Sequence, residues 1–309
     1  PACISYVLMI TYGQEKFTAV VLSKQNKKEI AMHQYLSALR DVLANGQEKT
    51  DPQELGNIAV CGRQMTFPVS QNCFPILTTK FVSLRNVAGE LLWILRGESN
   101  VRWLQDRKIK IWDEWATQEA CARYGLPPGE LGMIYGPLWR RWPTTDGKTI
   151  DQVAEVEKTI RTNPDSRRLV VSSWNPEFID KVFIAPCHCF FKFFHAQGEL
   201  SLHLFQRSAD LFLGVPYNIS SYSLLLLMMA KATGLKPKEF VHTMSDTHLY
   251  SNSIEASRLQ IEREPRDLPR IEFPDIPDLS LDTIRQLEPE DFKLTGYKPH
   301  PKIVVGVGV

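Results

Sequence analysis

Apolar residues recur along this chain in two rhythms, one near every third or fourth position and one at every second. In "MHQYLSALRDVLANG" (32–46), Tyr35, Leu36, Leu39, Val42 and Leu43 repeat at helical spacing, and Gly46 suits the helix end. "SLRNVAGELLWILRGESN" (83–100) has the same period and should end near Gly97. "TIDQVAEVEKTIRTNP" (149–164) predicts a third amphipathic helix, stopped at Asn163-Pro164. The run "YSLLLLMMAKATGL" (222–235) is apolar nearly all round, so it predicts a helix buried on most of its surface. It contains Lys231 and is too short to span a membrane. "IAVCGRQMTFPV" (58–69) and "RRLVVSSWN" (167–175) read as extended. "CHCFFKFFHAQGELSLHLF" (187–205) reads as two strands joined at Gln197-Gly198. "EKTDPQELGN" (48–57) is a turn-rich loop. The proline-rich segment 262–280 excludes a long regular element, although "RIEF" within it suits an edge strand. There is no internal repeat and no linker long enough to separate two domains. The pattern predicts a single α+β domain, residues 32–309, with a mainly antiparallel or mixed sheet packed against helices. Residues 1–31 look like an extension.

Composition narrows this only a little. The chain has 309 residues, 43% hydrophobic and 23% charged, with a formal net charge of +1. That balance gives no reason to expect a nucleic-acid surface, and DNA is not an expected partner. Six cysteines are too sparse for a disulfide scaffold, which favours a reducing, cytoplasmic setting. The opening "PACISYVLMITYGQEKF" is apolar for about ten residues but lacks a basic segment before them. It reads as a short strand or appended segment rather than a signal peptide.

The candidate chemistry centres on "APCHCFF" (185–191). Cys187 there is a metal ligand, a buried structural thiol or a nucleophile. On a strand, Cys187 and Cys189 share one face while His188 points away. No second metal-ligand motif lies elsewhere, so no metal is expected. "NPDSRR" sets Arg167 beside Arg168, and "FQRSADLFLGVPYN" sets Arg207 beside Ser208. Paired guanidinium forks with a hydroxyl suit a dianionic phosphate, and an arginine beside a cysteine would lower the thiol's pKa. "SDTHLYSN" projects Asp246, His248 and Tyr250 to one face of an extended segment, an arrangement that suits a sugar. Asn218 offers both donor and acceptor for a uracil edge, or else it caps the helix that follows.

Together with "GRQMTF", "FPILTTK", "GELLWILRGESN", "IWDEWA", "YGPLWRRWPT" and "QRSADLFLGVPYNI", these blocks make the chain resemble the thymidylate synthase family, from about Met32 to Val309. The resemblance implies a homodimer joined through the sheet, with dUMP and 5,10-methylenetetrahydrofolate as substrate and cosubstrate. It implies that Cys187 adds to C6 of the pyrimidine. Arg207 and Ser208 would hold the phosphate, joined across the dimer by the partner's copies of Arg167 and Arg168. Asn218 would read the uracil edge, His248 and Tyr250 would bind the 3′-hydroxyl, and Gln206 would also be among the substrate-binding residues. Asp210, Trp112, Trp115, Gly214 and the tail residue Val309 would face the folate. Glu90, His188 and Tyr135 would order the water that moves protons, with Asp210 also counted among the catalytic groups.

The family pattern breaks at two places. The arginine of the family's RTGTGT loop falls on Pro52, and the ending "PKIVVGVGV" is unlike the usual family tail. Loss of one charged hydrogen bond would weaken phosphate binding by roughly 1.5–3 kcal/mol. Looser closure would admit water, and a water-quenched reaction gives a hydroxymethyl product. Three readings follow: a dUMP methylating enzyme, a dUMP hydroxymethylase of the same fold, and an inactive member that binds a nucleotide or RNA. The cytosine-specific hydroxymethylases of the family carry aspartate at the position of Asn218, so the resemblance favours a uracil base.

Overall fold

The computed structural model describes residues 32–50 and 55–306, together with the backbone of 9–12 and 15–18. Strands β1 (Met9–Tyr12) and β2 (Glu15–Thr18) form an antiparallel hairpin. The rest of 1–31, the loop around Pro52, and Val309 lie outside the described residues.

The helical period at 32–46 becomes α1 (His33–Asn45), with Tyr35, Leu36, Leu39 and Val42 buried. Gly46 ends it, but in an extended conformation rather than a left-handed one. Its role is space: a Cβ there would meet the Val42 carbonyl oxygen at 2.5 Å. Next come β3 (Gln47–Lys49), β4 (Asn57–Pro68) and α2 (Leu84–Leu95), which Ser83 caps by accepting the Asn86 N–H. The short helix α3 (Tyr135–Arg140) is buried throughout. Helix α4 (Gln152–Thr162) starts on the Asp151 side chain and stops before Pro164.

The main sheet then adds β5 (Val170–Ser172), β6 (His188–Ala196), β7 (Glu199–Asp210) and β8 (Lys236–Tyr250). Its order is β3-β4-β8-β7-β6-β5. The β6–β7 turn is Gln197-Gly198, with φ of 53° and 76°. Two successive left-handed residues make the tight turn that matches strand twist, as the sequence predicted. Every pairing is antiparallel except β7 with β8, which is parallel. A parallel pair needs a crossover, supplied here by α5 (Gly214–Thr233). Sixteen of its twenty residues are buried. Lys231 reaches the surface and pairs with Asp275 at 3.3 Å. Gly234, at φ 71°, closes the helix. Among the described residues no helix is long and apolar enough to cross a membrane. The whole is a single α+β domain with a mixed six-stranded sheet packed by helices.

Two expectations change. "RIEF" does not edge the main sheet: β9 (Arg270–Glu272) pairs with β10 (Lys293–Thr295) as a separate ribbon. Prolines 269 and 274 bracket β9 and keep it short. Asn218 is not a helix cap, because α5 begins four residues earlier. Asp210 Oδ1 accepts the N–H groups of Phe212 and Leu213 at 3.0 Å each and leads the chain into the helix. Pro216 is tolerated there because the first turn has no helical partner for its N–H.

Close approach is most severe at Gly136 in α3. A Cβ there would lie 2.2 Å from the Glu98 carbonyl oxygen, a backbone atom that cannot rotate aside. Gly136→Ala is expected to cost about 3 kcal/mol in denaturant unfolding. An unchanged midpoint would show that the two segments separate freely.

Candidate active site

Cys187 sits just ahead of β6, where that strand meets β7. Its carbonyl oxygen accepts the Arg207 N–H at 2.9 Å, and its own N–H donates to the Tyr135 hydroxyl oxygen at 2.8 Å. The Arg207 side chain turns back on the same loop. Its Nε donates to the Pro186 carbonyl at 3.0 Å and Nη2 to that of Ala185 at 2.6 Å. Nη2 also stands 3.9 Å from Cys187 Sγ, and the guanidinium lies over the Trp174 ring at 5.4 Å. The expected effect of arginine on the thiol is present in sign. Burial is the larger influence, however, and pushes the thiol up while Arg207 pulls it down. The unliganded protein therefore keeps Cys187 as a thiol at neutral pH.

Neighbouring titratable groups respond to burial in the same way. His188 Nδ1 lies 3.2 Å from the Tyr222 hydroxyl, and burial drives the imidazole down to about 4, so it is neutral. The Tyr135 ring leans on His188, centroids 5.0 Å apart. Burial, reinforced by the Cys187 sulfur, raises that phenol well above its ordinary range. Glu90, on α2, is pushed up to about 7 by burial, opposed by a hydrogen bond from Trp112 Nε1 at 2.8 Å. Trp112 packs edge-on against Trp115 at 5.6 Å and Tyr135 at 6.2 Å. Indole, carboxyl, phenol, imidazole and thiol are thus continuous from α2 to β6.

The other side of the site is set by the sheet register. Ser208 pairs with Asp246, and Asp210 with His248. His248 is buried and stands edge-on to Tyr250 at 5.0 Å. Asn218, one turn into α5, is buried with its Oδ1 lacking a partner. Gly214 lies before it, and a Cβ there would stand 3.8 Å from both Asn218 Oδ1 and Asp210 Cβ. Gln206 is different: its Oε1 lies 2.7 Å from His242 Nε2, and its Nε2 donates to the Ser208 carbonyl at 2.9 Å. Both ends of its amide are held inside the protein.

Arg167 and Arg168 are exposed on the turn between α4 and β5, and neither forms an ion pair among the described residues. Arg63 is engaged within the fold. Its Nε is bonded to Asp41 on α1, and its Nη1 to the carbonyls of Cys61 and Gly62. The tail reaches Gly306, whose carbonyl accepts Asn252 Nδ2 at 3.1 Å. Among the described residues no group of three or more His, Cys, Asp or Glu is placed to hold a metal ion, and the described cysteines are free thiols.

Sequence reasoning missed Lys80. It ends the quoted block "FPILTTK", yet no role was given to it. It is buried, donates to the Phe212 carbonyl and lies 3.5 Å from the centre of the Phe212 ring. Burial brings it down to about 7, while the Asp210 charge pulls it back up. Trp174, Tyr222 and His242 were missed as well, since aromatic and histidine positions inside strands and helices read as ordinary core.

The geometry can carry thiol addition at an electrophilic carbon, proton removal by a carboxyl close to neutral pKa, and recognition of an amide-bearing ring by Asn218. A family model described as thymidylate synthase matches residues 33–309, and the chain belongs to that family.

Proposed function

We propose that this chain, by its family a folate-dependent one-carbon transferase acting on dUMP, converts dUMP and 5,10-methylenetetrahydrofolate to dTMP and dihydrofolate. The observation that carries the reading is the run of contacts from Glu90, hydrogen-bonded by Trp112, through the Trp112–Tyr135 ring contact to the Tyr135 hydroxyl on the Cys187 N–H. Residues 32–309 act as the catalytic domain and 1–31 as an extension, in a cytoplasmic enzyme.

Each step falls to a residue of this chain. The Cys187 sulfur, ionised with help from the Arg207 charge 3.9 Å away, bonds to C6 of the pyrimidine. This makes C5 nucleophilic, and C5 bonds to the one-carbon unit, whose two bonds to the folate nitrogens break in turn, one as C5 attacks and the other after the C5 proton is lost. The folate supplies that unit and, for a methyl product, the hydride that completes it. Glu90, assisted by Tyr135 and neutral His188, removes the C5 proton through water. Re-formation of the C5=C6 double bond then expels the Cys187 sulfur. The unpartnered Asn218 Oδ1 accepts the uracil N3–H. Gln206 backs Ser208 rather than touching substrate. Arg207 and Ser208 hold the phosphate, and His248 with Tyr250 the 3′-hydroxyl. Asp210, Gly214, Trp112, Trp115 and the tail at Val309 line the folate side.

A homodimer completes the site. Val170, Phe190 and Phe194 are exposed on the sheet, at 38%, 41% and 59%, and Phe190 stacks on Phe205 at 5.5 Å. Burying that face against a second copy would bring the partner's copies of Arg167 and Arg168 to the phosphate.

A second reading, hydroxymethyl transfer, is favoured by one observation: Pro52 and the glycine-containing tail both fall on segments that would shut water out. Water in place of hydride yields 5-hydroxymethyl-dUMP and tetrahydrofolate.

Mass analysis of the nucleotide product, with folate absorbance followed in the same tube, tests the choice. dTMP with dihydrofolate is expected, whereas a hydroxymethyl product without dihydrofolate overturns the methyl reading. Cys187→Ser is expected to abolish the covalent complex formed with 5-fluoro-dUMP and the folate. Full complex formation by that variant would remove Cys187 from the mechanism.

Glu90 sets the acid limb of the pH profile. It is protonated below about 7 and ionised above, so kcat should rise with pH through about 7. Glu90→Gln should flatten that limb and lower kcat by roughly 10²–10⁴-fold. The stability sign is opposite. The folded state holds a proton that the unfolded state has already lost, so Glu90's contribution to stability falls as pH rises from the ordinary carboxylate value to about 7. Glu90→Gln should therefore raise the melting temperature at pH 8. An unshifted profile with an unchanged melt would refute both expectations.

Phe194→Glu should yield monomers by sedimentation and lose activity. Mixing inactive Arg168→Glu with inactive Cys187→Ser should restore part of it, because mixed dimers hold one intact site. No restoration with mixed dimers formed would place Arg168 outside the site.

A further inference from the structure

On the sugar side of the site, Lys49 at the end of β3 reaches past β4 and forms an ion pair with Asp246 Oδ2 on β8. The other carboxylate oxygen, Oδ1, lies 3.1 Å from His248 Nδ1. Lysine, carboxylate and imidazole thus form one line running from the sheet edge into the site.

The chemistry of that line fixes where the imidazole proton sits. The hydrogen bond from His248, with that from Lys49, holds the Asp246 carboxyl down at about 2. An ionised carboxylate only accepts hydrogen bonds. His248 Nδ1 must therefore be the N–H that donates to it. In a neutral imidazole the other nitrogen, Nε2, then presents a bare lone pair. The His248 side chain is only 6% exposed and is braced by Tyr250, so the ring does not reorient freely.

We propose that Asp246 and Lys49 are positioning residues that lock His248 in its Nδ1–H tautomer, so that Nε2 accepts the hydrogen of a sugar 3′-hydroxyl and selects nucleotides that carry one. This rests on the reading of dUMP as substrate. The ion pair at Lys49 is half-exposed and by itself contributes little to stability. Its effect is directional. It occupies Oδ2 and leaves Oδ1 for the imidazole, and it ties β3 to the sugar site three residues before Pro52. A nucleotide whose 3′-oxygen is methylated or phosphorylated offers no donor and is selected against.

The test is ¹⁵N NMR of histidine-labelled protein together with dUMP binding by calorimetry. Wild type should show His248 as the Nδ1–H tautomer at pH 7.5. Asp246→Asn should move the proton to Nε2 or mix the tautomers. It should also raise KM for dUMP about tenfold with a smaller change in kcat. In a His248→Gln background, Asp246→Asn should add less than about twofold, because both changes remove the same interaction. Lys49→Gln should weaken dUMP binding by about threefold and Lys49→Arg should restore it. These surface variants keep the test open should Asp246→Asn fail to fold. An Nε2–H tautomer in wild type, or the full Asp246→Asn effect without His248, overturns the proposal. Wild type that shows the Nδ1–H tautomer but does not bind dUMP overturns the substrate reading and supports the lock.

Discussion

Glu90, Tyr135, Cys187 and His188 share one water-poor region, and withdrawal of water acts on all four in the same sense by favouring the uncharged form. The carboxyl rises to about 7, the imidazole falls to about 4, and the phenol and thiol rise. Ionised, the carboxylate, phenolate and thiolate would repel one another, and all four charges would demand solvent. Packed as neutral groups, they sit quietly in a core made by α2, α3 and α5. Charge stands around these groups, on Arg207, Asp210 and Asp246. Such a site spends its reactive life one proton transfer from ionisation, which suits a reaction that begins and ends with a thiolate.

The scaffold explains why these groups meet. A parallel β7–β8 pair forces α5 to cross over the sheet, and β7 ends at Asp210 where the helix begins. Strand ends from β7 and β8, the first turns of α5 and the start of β6 therefore converge at one mouth. The hydrogen bond from the Arg207 N–H to the Cys187 carbonyl fixes the last of these. The same arginine then uses its side chain to hold the two residues before the cysteine. A phosphate at Arg207 would compete with the Ala185 and Pro186 carbonyls, so phosphate binding and the position of the nucleophile are mechanically linked.

Much of this was legible in the sequence, for identifiable reasons. Helical spacing gave α1, α2, α4 and α5, because each buries a continuous stripe or, for α5, nearly its whole surface. Gln197-Gly198 announced the β6–β7 turn through residues that tolerate positive φ. Local readings failed where the deciding partner was distant. Asn218 followed by an apolar run looked like a cap, but the helix has already begun at Gly214, and Asp210 turns the chain into it by accepting the N–H groups of Phe212 and Leu213. "RIEF" had strand chemistry, yet only the fold could supply its partner at 293–295. The charge of Arg207 was visible and its pull on Cys187 correctly signed. The opposing burial was not visible, since it comes from elements spread over the chain. The Trp112–Glu90 and Tyr135–Cys187 bonds span 22 and 52 residues, and no spacing rule reaches that far.

The departures at Pro52 and in the tail take on a different weight against this geometry. Water competes for product only where it reaches C5, and the groups nearest that chemistry are intact. Trp112 is almost wholly buried, hydrogen-bonded to Glu90 and packed on Tyr135. A wall held by both a hydrogen bond and ring contacts is fixed by its own neighbours. In the described part of the tail, Gly306 is tied to Asn252. An arginine that bonded a phosphate would, by its loss, weaken capture of the nucleotide more directly than wet the carbon that receives the new group. The same reasoning gives the Lys49–Asp246–His248 line its interest. A site that reads the 3′-hydroxyl through a fixed tautomer would gain part of its hold on the substrate from the sugar rather than from the phosphate alone.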